Sequence, residues 1–292
     1  MSLVAFLGAV ELGLVYALVA LGVFLSFRVL DFPDLTVDGS FPLGAAVAAT
    51  MIVGGSDPWT ATLVAVFAGA LAGLVTAYVS VRWGVLHLLA SILTMIALFS
   101  VNLRIMGRPN VALLTQDTVL TPFYGNGLAE HVVRPLFLGL VVCAAAAGLA
   151  WFLRSELGLA MRATGANPRM ARAQGIRTGG QVMAGVMLSN ALVGLSGALF
   201  AQTNGFADVT SGVGTIVVGL AAVIVGETLL PTRRIGLALA ACVLGSVLYR
   251  LAVQLALSAD IPGLQASDLN LATAVLVLVA LVLPRLKRRV FA

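Results

Sequence analysis

The sequence predicts an all-α polytopic membrane protein, with about nine transmembrane helices in two inverted-topology halves and at least one discontinuous helix. Three observations carry this expectation. Of 292 residues, 60% are hydrophobic and only 10% charged, with a mean hydropathy of +1.07, which is more apolar surface than a soluble domain hides. The apolar residues come in segments suited to a bilayer core of about 30 Å, which takes about 20 helical residues to cross. A polar break at residues 28–42 precedes an unusually short apolar segment, and the second half echoes that pattern.

The apolar segments run near 3–27, 41–56, 59–81, 85–105, 133–153, 181–203, 209–230, 235–256 and 269–284. They leave no room for a soluble domain, so residues 1–292 read as a single transmembrane domain. No basic residue precedes Arg28. A cleavable signal needs a basic start, so the first segment reads as a retained span. The break, RVLDFPDLTVDGSFP, carries Asp31, Asp34 and Asp38 with one basic residue. Phe32-Pro33-Asp34-Leu35-Thr36 is matched in pattern by Phe206-Ala207-Asp208-Val209-Thr210, and each is followed by an Ala/Val/Gly-rich span. Small residues recur at four-residue spacing (Gly69 and Gly73, Gly185 and Ser189, Gly194 and Ala198, Gly236 and Ala240), a pattern that lets helices approach closely.

Orientation follows from the loop 154–181, RSELGLAMRATGANPRMARAQGIRTGGQ. It holds Arg154, Arg162, Arg169, Arg172 and Arg177, and short arginine-rich loops stay in the cytoplasm. Counting forward puts Arg233 and Arg234 inside, the 257–268 loop with Asp260 and Asp268 outside, and the PRLKRR tail inside. Counting backward puts the 106–132 loop outside, Arg82 inside and the N-terminus outside. Arg104, Arg108 and Arg134 then fall on the outer side, against the rule. The loop also encodes a compact helix. Asn167 suits the N-cap, Pro168 the first helical position and Gly175 the C′ position. A short capped helix beside the membrane reads as a docking element for a soluble partner.

Several chemistries are excluded. A P-loop needs G-x-x-x-x-G-K-S/T, and the only lysine is Lys287 in the tail. Gly194-Leu195-Ser196-Gly197 has the form found around an intramembrane serine nucleophile, but His87 and His131 both precede it, in the wrong order for a rhomboid base. No H-E-x-x-H or C-x-x-C is present, so no catalytic residue, metal site or cofactor is expected. Cys143 and Cys242 read as packing residues. The net charge of +5 comes from basic residues at span ends. It therefore signals orientation and lipid contact, and not nucleic acid.

Polar groups within spans are costly and normally face a cavity or a partner. Asp34, Thr36 and Asp38 have two open readings: lining a solute path, or capping the span that begins near Phe41. Asn190, and Gln202, Thr203 and Asn204 further along that span, either meet a polar solute or bond between helices. Glu227 is expected to pair with Arg233 or Arg234, and Glu11 to reach the outer headgroups.

SELGLAMRATGANPRMARAQGI is similar to the cytoplasmic loop of permease subunits in the branched-chain amino acid/ribose family of ABC importers, which reads like G-x-A-x-R-A-x-x-x-N-P-x-A-A-x-x-x-G-I. Gly158, Ala160, Arg162, Ala163, Asn167, Pro168, Ala171, Gly175 and Ile176 match, and Met170 stands where the family has alanine. YALVALG (Tyr16 to Gly22) and PDLTVDGSFPLGAAVAA resemble the first span and the following segment, so the resemblance covers nearly the whole chain. It looks most like the tryptophan/tyrosine-type subgroup.

The resemblance implies a second permease copy, cytosolic ATPase subunits and an extracytoplasmic binding protein, with the assembly in a bacterial inner membrane. It makes Arg162, Asn167, Pro168, Arg169, Ala171, Arg172, Gly175 and Ile176 the ATPase-coupling residues. Asp34, Thr36, Asp38, Asn190 and Asn204 are expected on the translocation path of a small solute such as an amino acid. A secondary transporter driven by an ion gradient is the alternative. It leaves the capped loop helix without a role.

Overall fold

Residues 3–126, 130–230 and 234–258 are described by the computed structural model. Seven of its helices are long and apolar enough to cross a membrane, and an eighth, at 37–53, is shorter but equally apolar. The expected span at 269–284, Asp260, Asp268, Arg233 and the basic tail lie outside the described residues.

The first span, α1 (Leu3–Val23), widens into a π-helical turn, Phe24–Val29. There Leu30 N donates to the carbonyl of Leu25, five residues back. The chain then breaks over residues 30–36. Asp31 takes a positive φ of 54°. Pro33 offers no N–H and biases Phe32 toward extended backbone. The next helix, α2 (Val37–Val53), starts at Val37 and not near Phe41 as its hydropathy suggests. Pro42 sits inside it and deprives the Asp38 carbonyl of its helical partner. Gly212 packs against that carbonyl, where a side chain would collide.

Helix α3 (Pro58–Trp83) opens on Asp57, whose carboxylate accepts from Trp59 N and Thr60 N at 3.1 Å, with Pro58 in the first position. Helix α4 (His87–Met106) leads to β1 (Asn110–Ala112). Helix α5 (Glu130–Arg154) is followed by α6 (Glu156–Ala166) and α7 (Pro168–Ala173), then by α8 (Thr178–Asn204). Strand β2 (Phe206–Asp208) pairs antiparallel with β1, Val111 opposite Ala207. A 3-10 turn, Val209–Gly212, precedes α9 (Thr215–Leu229), and α10 (Ile235–Ser258) completes the described elements. The strand pair and α6 have no counterpart in the sequence expectation.

Helix α8 is the hub, and the small-residue pairs explain why. Gly69 and Gly73 of α3 lie against the backbone of Val186 and Asn190 and against Gly194. Gly194 also receives Gly44 of α2, and Gly197 sits on the Phe41 carbonyl. At each contact a Cβ would strike backbone, so these helices pack closer than larger residues permit. Serines add interhelical bonds: Ser189 Oγ donates to Gly22 O and Ser196 Oγ to Val15 O, both at 2.7 Å. Ser196 is fully buried, which spends the hydroxyl of the GxSG sequence on packing. Outward faces of α3, α4 and α5 expose Phe67, Leu71, Leu93, Leu136, Leu140 and Trp151. With backbone bonds satisfied inside each helix, such faces suit lipid.

Candidate functional site

Two constructions meet near the break. The first is a buried polar network. Asp34 Oδ1 accepts from Thr36 N at 2.9 Å, and Oδ2 accepts from Asn190 Nδ2 at 2.6 Å. Asn190 Oδ1 in turn accepts from Ser40 Oγ at 2.7 Å, and the Thr36 and Thr76 hydroxyls bond at 2.7 Å. Asp34, Thr36, Ser40, Thr76 and Asn190 are all fully buried. The network ties the break and α2 to α3 and α8. A carboxylate so placed is tolerable only because its lone pairs are occupied. Asp34, Thr36 and Asn190 therefore face one another here and not a cavity.

Asp38 acts elsewhere. Its carboxylate accepts from Ile216 N at 2.7 Å and Gly214 N at 3.2 Å, capping the first turn of α9 from the other half of the chain. Asp38 thus caps a helix other than its own, and the N-terminus of its own span carries no side-chain cap. Asn204 ends α8 by donating to Phe200 O at 3.0 Å.

The second construction is the arginine-rich loop. Ser155 Oγ accepts from Gly158 N to start α6. Asn167 Oδ1 accepts from Arg169 N and Met170 N at 3.1 and 3.0 Å to start α7, with Pro168 first. At its end Gly175 takes φ 82°, and Ile176 N donates to Ala171 O at 3.0 Å, a Schellman closure that needs glycine. Only Ala171 of α7 is buried, so Arg169, Met170 and Arg172 project outward. Helix α6 is anchored against the break. Gly165 lies on the backbone of Val29 and Leu30, and Met161 and Leu30 both reach Gly185 of α8. Any displacement of α6 and α7 thereby bears on the chain just before Asp34.

Beside this contact Arg28 binds Glu227 through two bonds of 2.6 Å, Nε to Oε1 and Nη2 to Oε2. Where the sequence suggests Arg233 or Arg234, the described partner of Glu227 is Arg28, in the π-helical turn. Its exposure, 57% at the Arg28 side chain, limits its worth to about 1 kcal/mol or less. Arg134, one of the three misfits of the charge rule, donates to Tyr124 Oη at 3.1 Å and is the cation acting on half-buried Glu11. A guanidinium held inside the protein in this way does not report loop orientation. Asp208, at the strand pair, is pushed up by partial burial. Bonds from Thr210 and Asn110 outweigh this and hold its carboxyl below the ordinary value.

Besides Ser40 and Thr76 of the network, two more polar groups escaped the sequence reading. Arg250 lies within α10 with its guanidinium 4.0 Å from the Tyr16 ring centroid. Asn102, fully buried in α4, has an unpartnered Oδ1. Both break otherwise apolar runs, and that is the signal that would have found them.

Compared with known proteins, residues 6–283 match the model of one family, described as branched-chain amino acid transport system / permease component. The chain belongs to this family. A permease of the family is a membrane-spanning transport subunit and not an enzyme. The permease is 36% identical over 268 residues to a tyrosine transport system permease protein of Clostridioides difficile (strain R20291), covering 91% of this chain and 86% of that one. It is 34% identical over 194 residues to an uncharacterized protein, RP368, of Rickettsia prowazekii (strain Madrid E), covering 66% of each. No solved structure matches the permease.

Proposed function

We propose that this permease is the translocation subunit of an ATP-driven importer for a small amino acid of the tyrosine class, delivered by an extracytoplasmic binding protein. The observation that carries the reading is the rigid α6–α7 unit seated on Val29 and Leu30. It is built to pass a push from a soluble engine to the break. The relative named for tyrosine transport supports the solute class and the tryptophan/tyrosine-type subgroup.

In this reading residues 1–292 form one permease domain of about nine spans in two inverted halves. Three paired features support the inversion. Asp34 accepts from Thr36 N as Asp208 accepts from Thr210 N, at 2.9 and 2.7 Å. Asp31 and Gly205, each three residues before those aspartates, both take positive φ, 54° and 77°. Each break is followed by a short helix, α2 or α9, of 17 or 15 residues. The arginine-rich loop faces the cytoplasm, the N-terminus lies outside and the C-terminus inside a bacterial inner membrane. Two copies pair as a homodimer on two cytosolic ATPases.

Arg162, Asn167, Pro168, Arg169, Ala171, Arg172, Gly175 and Ile176 carry coupling. Asp38 and Asn204 border the path. Asp34, Thr36 and Asn190 hold the break in register as the path opens, and come to line it when the network parts. Reconstitution of the permease with its ATPase and binding protein tests this. Uptake of labelled tyrosine is expected to require ATP and to ignore proton and sodium ionophores. Uptake driven by an ion gradient without ATP would make the protein a secondary transporter instead.

A further inference from the structure

We propose that the cavity between α2, α4 and the Val209–Gly212 turn is a solute subsite for an aromatic ring bearing an ammonium group. The proposal deepens the importer reading and rests on it for the direction of transport, but not for binding itself. The cavity measures about 350 Å³, at the small end of ligand sites, which suits a single amino-acid-sized molecule.

Its chemistry is one-sided. Asn102 donates through Nδ2 to the Gly39 carbonyl at 3.2 Å, while its Oδ1, in a fully buried residue, has no partner. A buried acceptor left unpaired calls for a donor. The Asp38 carboxylate lines the same cavity. It already accepts two backbone N–H groups of α9, yet a carboxylate has about four acceptor sites. Two acceptors, one of them anionic, thus meet in a cavity whose other charged side chains are none. An ammonium group answers both, and a carboxylate with no ammonium beside it would be repelled. Phe99 and Met95 line it beside Pro42, Ile96, Val209 and Val213. A ring and a thioether favour an aromatic body over an aliphatic one.

Asp38 also gives the site a consequence. An ammonium that draws on this carboxylate competes with the first turn of α9 for the same oxygens. Occupancy therefore loosens the cap that joins the two halves, and the site binds weakly, as a path requires.

The test uses the full chain in lipid nanodiscs, with Cys143 and Cys242 replaced by alanine and Ser100→Cys as a reporter at the exposed rim of the cavity. Maleimide labelling of that cysteine is followed with millimolar tyramine, L-tyrosine, hydroxyphenylpropionate or methylammonium present. Tyramine and L-tyrosine are expected to slow labelling several-fold. Hydroxyphenylpropionate, which lacks the ammonium, and methylammonium, which lacks the ring, leave it unchanged. Asn102→Leu weakens protection by roughly tenfold, the worth of one bond to a charged donor, while labelling without ligand stays the same. Equal protection by all four compounds, protection by none, or protection that survives Asn102→Leu overturns the proposal. The assay needs neither ATP nor partner proteins. A failed importer reading would appear in the uptake experiment and leave this result standing.

Discussion

Replacing Asn167-Pro168 by Gly-Gly is expected to leave ATP hydrolysis by the assembled complex nearly intact while import falls by several-fold, up to roughly tenfold. The reasoning is energetic. Helix α7 has only six residues, Pro168–Ala173, far below the length at which a helix stands alone. It persists because both ends are closed. Glycine in place of the Asn167 cap costs only about a few tenths of a kcal/mol, and a glycine in the first turn costs up to about 1 kcal/mol more in backbone entropy. The Pro168 preset of φ is lost as well. Together these approach the roughly 1.4 kcal/mol that shifts a population tenfold. The knob then becomes a slack linker. An ATPase that still turns over would pull on it without moving α6, Gly165 or the Val29–Leu30 backbone against which Gly165 is lodged. ATPase rate and solute uptake, measured on the same reconstituted vesicles, separate uncoupling from failed assembly. Uptake at the unmodified rate would remove α7 from the mechanism.

Asn190→Leu is expected to have the largest effect on the folded protein, about 3 kcal/mol or more of destabilisation. The substitution strips Asp34 Oδ2 of its donor and Ser40 Oγ of its acceptor, in a place that excludes water. Most of the cost is the carboxylate left without a partner, and this yields an internal check. Asp34→Ala combined with Asn190→Leu should be less damaging than the sum of the two single changes, because no buried charge is then abandoned. Thermal unfolding of the purified permease in detergent reads this directly. Additive losses would mean that the two side chains are not coupled.

How far the sequence foretells such features depends on the range over which each residue acts. The loop helix is legible because Asn167, Pro168, Gly175 and Ile176 close α7 through bonds spanning at most five residues. The long spans are legible because hydropathy is a local average. The start of α2 is misread because Pro42 and the aspartates look like the end of a loop, whereas the helix runs through them from Val37. Asp38 is recognised as a capping residue, but it caps α9, 176 to 178 residues away, and no local pattern points there. Arg28 and Glu227 lie 199 residues apart, so pairing Glu227 with its nearest basic neighbours was the natural sequence choice. The break itself was visible through Pro33 and its echo at Phe206–Thr210. Its π-helical approach and the β1–β2 pair arise from packing between distant segments.

The central claim is that a knob on the cytoplasmic side drives this permease through contact with an ATPase. Met170 is 62% exposed at the tip of α7 and makes an ideal reporter. With Cys143 and Cys242 replaced, Met170→Cys should react with impermeant maleimide only from the cytoplasmic side and should crosslink to the ATPase subunit in the assembled complex. Labelling of that cysteine from outside intact cells, or an assembled complex in which it joins to no ATPase, would contradict the account.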